Sequence, residues 1–337
     1  MKTLKPFLYL LVVFAIVLSA CNKDVHKIGE DENLDIQVKN MEDLIIPANF
    51  DWRIPMNSTS TLKDGSSYYP STYATLAFED LWPAKGDYDF NDLVVSYQFR
   101  TVTNASNFIT DIVGTFIFRA TGAGTDNGFG FELTGLDTTG FVVTGNSVLA
   151  GYTTTTDGWE NGQTNPVVIV TDNVSDIMPR WANNTQYGTG NSIYAPNDTL
   201  EIHITPRPGV EKLSTDFLIN QANFNPFLIA DFINEGRGRE VHKVNYPPTD
   251  LADVGLFMTA DDYSQPLTNS TYKTRKNYPW VLDIPGIFEY PRESIDINWA
   301  YLRFGAWAES GGTLYTNWYS ITTEGVFRTS GNLYQAP

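Results

Sequence analysis

Leu93, Val95, Tyr97 and Phe99 alternate with Ser96, Gln98 and Arg100, a period of two that predicts a half-buried strand. The stretch Asp111–Thr121 repeats the pattern, with Ile112, Gly114, Phe116 and Phe118 on one side and Thr115 and Arg119 on the other, so the two segments are expected to pair antiparallel. Further strands are expected over Phe129–Leu133, Phe141–Thr144, Val167–Thr171, Leu200–Thr205, Phe227–Phe232 and Val254–Thr259, each bounded by Gly, Pro, Asn or Asp. One segment changes period: over Ser294–Ser310, residues Ile297, Ala300, Tyr301, Phe304, Trp307 and Ala308 recur at three- and four-residue spacings. That pattern predicts an amphipathic helix, capped by Ser294 and stopped by Gly311–Gly312, its apolar face packed on a sheet or over one end of a sandwich. The fold class that follows is mainly β, an antiparallel β-sandwich of jelly-roll type with one C-terminal amphipathic helix at about 294–310.

Composition agrees. Aromatics make up 14% of the chain, and 26 glycines and 18 prolines punctuate it, which suits strands joined by loops. The amino terminus reads differently: Lys2 and Lys5 precede an apolar run from Phe7 to Leu18, too short for a bilayer span of about 20 residues and suited to a signal peptide. The run ends in Leu18-Ser19-Ala20-Cys21, a lipobox in which small residues admit a signal peptidase and the Cys21 sulfur receives diacylglycerol. Cys21 is the chain's one cysteine, so its lipidation leaves no thiol for a disulfide, catalysis or metal ligation. The expected organisation is a signal peptide over 1–20, a lipidated acidic tether over 21–45, and a single β domain over 46–337. Formal net charge is −17, and cleavage removes two lysines and no acid, making the remainder more acidic. Such a surface repels phosphate backbones, which excludes nucleic acid as a partner, and it attracts divalent cations.

The chemistry concentrates ahead of the first clear strand, in FEDLWPAKGDYDFNDLVV. Asp87, Asp89 and Asn91 stand at the first, third and fifth positions of an oxygen-rich calcium loop, and Asp92 adds a fourth ligand. Hard cations of this kind want several oxygens converging at about 2.3–2.6 Å. The loop is no EF-hand: position six is Asp92 where that motif has Gly, position twelve is Gln98 where it has Glu, and a strand follows. Gly86 frees the backbone ahead of the cluster, and Glu79 with Asp80 can supply another carboxylate if the chain folds back. Calcium is therefore the expected ion, in a structural role.

Several motifs together resemble a known family. They are Phe78-Glu79-Asp80-Leu81-Trp82-Pro83 with Gly86-Asp87-Tyr88-Asp89-Phe90-Asn91-Asp92-Leu93-Val94, then Asn127-Gly128-Phe129-Gly130-Phe131-Glu132-Leu133, Asn225-Pro226-Phe227 and Arg237-Gly238-Arg239-Glu240-Val241-His242. Tyr272-Lys273-Thr274, Pro279-Trp280, Tyr290-Pro291, Ala300-Tyr301, Trp307-Ala308 and Ser310-Gly311-Gly312 continue them. Across residues 70–325 the chain resembles the LruC-type domain of surface lipoproteins in Leptospira and Bacteroidetes. The resemblance implies a domain of unknown biochemical function, lipid-anchored in the outer membrane and exposed at the cell surface.

Two other segments carry candidate chemistry. Glu240 and His242 share strand parity in RGREVHK, with Arg237 and Arg239 beside them, which would suit an acid–base pair; alternatively, one of the arginines pairs with the acidic loop at 87–92. The stretch Gly151–Asn197 is rich in Thr, Asn and Gly, and its Trp159, Trp181 and Tyr187 are candidates for stacking on a glycan. No HExxH, GxSxG or P-loop pattern occurs. The reading is a non-enzymatic, membrane-anchored protein for adhesion or glycan contact, or for binding a host or envelope protein. A carbohydrate-active hydrolase and a structural subunit of a surface assembly stand as the alternatives.

Overall fold

Among the described residues ten strands form two antiparallel sheets, and their order shows how the chain closes on itself. The structure, a computed structural model, describes residues 37–59, 65–149, 151–152, 154–184, 193–210 and 217–336. Cys21, the signal segment and Tyr187 lie outside these residues. The strands are β1 (Ser66–Phe78), β2 (Leu93–Thr103), β3 (Ile109–Ala120), β4 (Gly128–Leu133), β5 (Phe141–Thr144), β6 (Val167–Thr171), β7 (Asp198–Pro206), β8 (Phe224–Ile229), β9 (Glu240–His242) and β10 (Val281–Pro285). One sheet has six strands in the order β10-β1-β2-β3-β7-β5, and the other four in the order β6-β4-β8-β9. The expected β2–β3 pair forms, with Phe99 opposite Gly114 and Tyr97 opposite Phe116.

Phenylalanines fill the space between the sheets. Phe78, Phe99 and Phe116 of the larger sheet meet Phe129 and Phe131 of the smaller, with ring centroids 5.5 Å apart for Phe99–Phe131 and 5.4 Å for Phe116–Phe131, and Tyr97 packs on Phe224 of β8 at 4.9 Å. Each such ring contributes about 1.5–3 kcal/mol by leaving water. The alternating residues of β2 all point into this core.

A second core lies on the other face of the larger sheet. There Ala77, Val94, Ala120, Leu282 and Ile284 are covered by Met41, Leu44, Phe50 and Trp52 from the start of the body and by Tyr301, Phe304, Trp307 and Trp318 from its end. Trp307 packs edge-on against Phe50 at 5.1 Å and lies 5.5 Å from Trp318. Met41 and Leu44 are fully buried, so the ordered body reaches back into the segment expected to be tether.

Three expectations are corrected. Val254–Thr259 is not a strand but a 3-10 turn over Val254–Leu256, with Val254 and Met258 exposed. The single helix over 294–310 is two short ones, Ile297–Ala300 and Phe304–Glu309, because Tyr301 takes an extended conformation and bridges to Arg328. Ser294 does not cap it; Asp296 does, accepting from Asn298 N. Val38–Pro337 is one compact unit, and among the described residues no helix is long and apolar enough to cross a membrane.

Candidate metal centre

The β1–β2 connection, Glu79–Asp92, closes at one end of the larger sheet. Phe78 pairs with Leu93, so the residues just beyond them face each other, and Asp92 Oδ2 accepts a hydrogen bond from Asp80 N at 2.9 Å. β3 ends at the same place, and the turn after it, Gly122–Asn127, borders the connection: Thr125 Oγ1 and Asn127 Nδ2 both donate to Asp80 Oδ2.

Within the loop the backbone is bent twice into the left-handed region, at Tyr88 (φ 64°) and Phe90 (φ 53°), a conformation that costs bulky side chains about 1–3 kcal/mol each. The two bends fold the chain back on Glu79, whose Oε1 accepts from Phe90 N at 2.7 Å. Carboxylate oxygens of Glu79, Asp87 and Asp89 then all lie within 4.8 Å of one another. Glu79 Oε2 is buried with no hydrogen-bond partner, an atom whose desolvation is uncompensated by any protein donor. Asp89 Oδ2 accepts from Ser294 N at 2.7 Å, which ties the loop to the C-terminal segment.

The electrostatics are one-sided. Burial, followed by the charge of Asp87, pushes the Glu79 carboxyl well above the usual range. Burial also drives up Asp89, with Glu79 and Asp87 adding repulsion, and Asp92, with Asp80, Glu79 and Asp89 adding theirs. Asp87, at the exposed rim, is raised by the crowding of surrounding protein, and Glu293 by its partial burial. No lysine or arginine pairs with any of these carboxyls among the described residues. Such a group is stable as a set of shared protons or around a cation, and carboxylates with a free buried oxygen and an open rim are the donor set of a hard divalent ion.

The residues expected at the site fall into two groups. Asp87 and Asp89 join Glu79. Asn91 is buried beside them with its amide otherwise engaged, Nδ2 donating to Pro291 O at 3.2 Å and Oδ1 facing Asn184 Nδ2 at 3.5 Å, while Asp92 is held at Asp80. Asn184 also donates to Glu293 Oε2 at 2.6 Å. Nothing in the sequence ties Asn184, Glu293 or Ser294 to this site, because they come from turns far along the chain, and Ser294 is expected there only as a helix cap.

Elsewhere the sequence candidates take other roles. Trp159, expected on a ligand face, is a core residue only 5% exposed, its Nε1 donating to Phe141 O at 3.2 Å. Trp181 does reach the surface, with its ring over Gly124 and its backbone left-handed at φ 62°. The arginines do not pair with the acidic loop. Arg237 bonds Glu160, with Nη2 to Oε2 at 2.7 Å, and also Glu240, whereas Arg239 Nε donates to Trp82 O at 2.7 Å. Glu240 and His242 are both fully buried. The two Glu240 oxygens are consumed by Arg237, by Thr249 and by His242 Nε2 at 2.8 Å, leaving no acceptor for a substrate.

An antiparallel β-sandwich with a carboxylate-lined loop at one end defines a class, that of β-sandwich proteins with a candidate cation centre. The chain belongs to the family described as "Domain of unknown function (DUF4842)", which matches residues 107–319 and thus the part that supplies Asn184, Glu293 and Ser294. Among solved structures it is similar to that of a Bacteroides ovatus protein described as a candidate lipoprotein, at 17% identity and a TM-score of 0.58, over 81% of this chain and 76% of that one. That likeness is one of fold. No curated protein matches the sequence.

Proposed function

We propose that this chain is a lipid-anchored, LruC-type protein of the outer-membrane surface whose sandwich is locked by a structural calcium ion and presents loops for adhesion or glycan contact. The observation that carries the cation is Glu79 Oε2, buried without a partner among the carboxylates of Asp87 and Asp89. An ion that binds only the folded state stabilises it by mass action and lifts the mutual repulsion that raises these carboxyls. Calcium suits the site better than magnesium, since an irregular loop with carboxylates at a rim tolerates the larger ion's flexible coordination. The anchor rests on Cys21 in its lipobox and on the lipoprotein description of the Bacteroides ovatus relative in fold. The contact role rests on the exposed, strained Trp181. The engaged and buried state of Glu240 and His242 favours binding over hydrolysis.

A thermal melt of the full-length chain in detergent, with calcium, magnesium or chelator, tests the first part. Calcium is expected to raise Tm by several degrees, and Asp87→Ala, which removes a rim carboxylate while leaving the buried backbone bonds of Asp89 intact, should abolish the rise. An unchanged rise in that variant would sink the assignment. Radiolabelled palmitate incorporation, lost in Cys21→Ser, tests the anchor.

A further inference from the structure

A cleft of about 300 Å³ opens beside the same loop, between residues 85–88, the turn at 260–263, the hairpin at 274–278 and Glu42. Its size is at the small end of ligand sites, enough for a single ring. Its floor and walls are aromatic: Tyr88 and Tyr278 meet edge to face at 5.8 Å, and Tyr263 carries the Arg275 guanidinium over its ring at 4.5 Å.

The polar groups around the cleft are unequally served. Its acids are engaged: Asp262 accepts from Trp82 Nε1 at 3.0 Å, Ser264 Oγ at 2.7 Å and Met258 N at 2.9 Å, and Glu42 pairs with Lys85. Its donors are not. Arg275 makes no ion pair or hydrogen bond among the described residues beyond its contact with the Tyr263 ring. Lys276 Nζ donates only to Glu42 O at 2.7 Å, and the Tyr88 hydroxyl is buried without a partner. Two acceptors remain open: Asp261 Oδ1, since Oδ2 takes Lys85 N at 3.1 Å, and Glu42 Oε2, since Lys85 Nζ meets Oε1. The charged lining is three acids and three bases, and among the described residues Arg275 and Lys276 are the bases without a carboxylate partner, so a ligand carrying a carboxylate can take the free guanidinium fork.

We propose that this cleft binds an acidic sugar, a pyranose bearing a carboxylate. The carboxylate meets the forked guanidinium of Arg275 in charge-assisted hydrogen bonds, the ring lies among the tyrosines, and its hydroxyls accept from Lys276 and donate to Asp261. The cleft shares Tyr88 with the loop of the carboxylate cluster, but Arg275, which takes the ligand's carboxylate, lies outside that loop.

Titration calorimetry on the full-length chain in detergent tests this, with D-galacturonate, D-galactose, acetate and polygalacturonate as probes. Galacturonate is expected to bind at least tenfold more tightly than galactose or acetate, and at least tenfold more weakly to Arg275→Gln, with a smaller loss in Lys276→Gln. Tighter binding of polygalacturonate than of the monomer assigns the ligand to a polymer, and equal binding per residue assigns it to the free acid; both support the cleft. Equal affinity for galactose, affinity for acetate matching that for galacturonate, or undiminished binding to Arg275→Gln overturns the proposal. Arg275→Gln should keep its calcium-dependent melting shift, so failure of either reading is visible without the other.

Discussion

A Cβ on Gly86 would lie 1.5 Å from Glu79 Oε2, which means the carboxylate occupies the space a side chain would need. Gly122 does the same for Asn91, whose Oδ1 would be 2.1 Å from a Cβ there. Gly86→Ala must therefore displace the Glu79 carboxylate from its neighbours. It is expected to cost about 2 kcal/mol and to remove the calcium response, measured by melts with and without the ion. At this scale the sequence speaks clearly about Asp87 and Asp89, because oxygen-bearing side chains at alternating positions before a strand are a local pattern. Glu79 is readable as a neighbour that folds back. Asn184 and Ser294 are not, since they join Asn91 and Asp89 across 93 and 205 residues and nothing in local periodicity encodes such a meeting.

Among the elements, strands whose sequences alternate announce themselves, whatever their burial. β2 and β3 are legible, although Leu93–Tyr97 of β2 is buried on both faces, because Ser96, Gln98 and Arg100 stand at its alternate positions. β1 is buried along its second half on both faces, between the inter-sheet core and the cover from the chain's two ends, so its apolar residues run together, and β10 has only five residues. Val254–Thr259 shows the converse, an apolar run that sits at the surface as a turn. β9 carries a buried charge network in three residues. Burial alone pushes Glu240 up, but Arg237, His242 and Thr249 more than reverse it and hold the carboxyl at about 2, against an ordinary 4.5. Its ionised form thus adds stability above pH 4.5, and that contribution, about 3 kcal/mol, is lost as pH falls towards 2. Urea unfolding from pH 3 to 7 should show Glu240→Gln least stable relative to wild type above pH 4.5, with the gap narrowing below it. A gap constant with pH would mean that the charge on Glu240 contributes nothing.

For the whole molecule, the second core makes the chain's ends part of the sheet's support. Trp52 is 5% exposed, left-handed at φ 63°, packed on Phe304 and Trp307, and bonded through Nε1 to Asn277 O at 2.8 Å. Trp52→Ala is expected to cost about 3–5 kcal/mol in urea unfolding, as large as a loss from between the sheets. A cost under about 1 kcal/mol would make the segment a dispensable wrapping. The sandwich was legible because alternation fixes which faces meet. The second core was not, since it depends on segments without regular structure folding back from both ends. The same arrangement sets an order in time. β1 finds β2 almost at once, but its other neighbour, β10, lies some two hundred positions later, with Ala74 opposite Pro285. Until that stretch arrives, β1 is an open edge with a bare outer face, the kind of surface that recruits other chains. A polypeptide made from its amino end therefore keeps that edge open through most of its own synthesis, until the last segments appear.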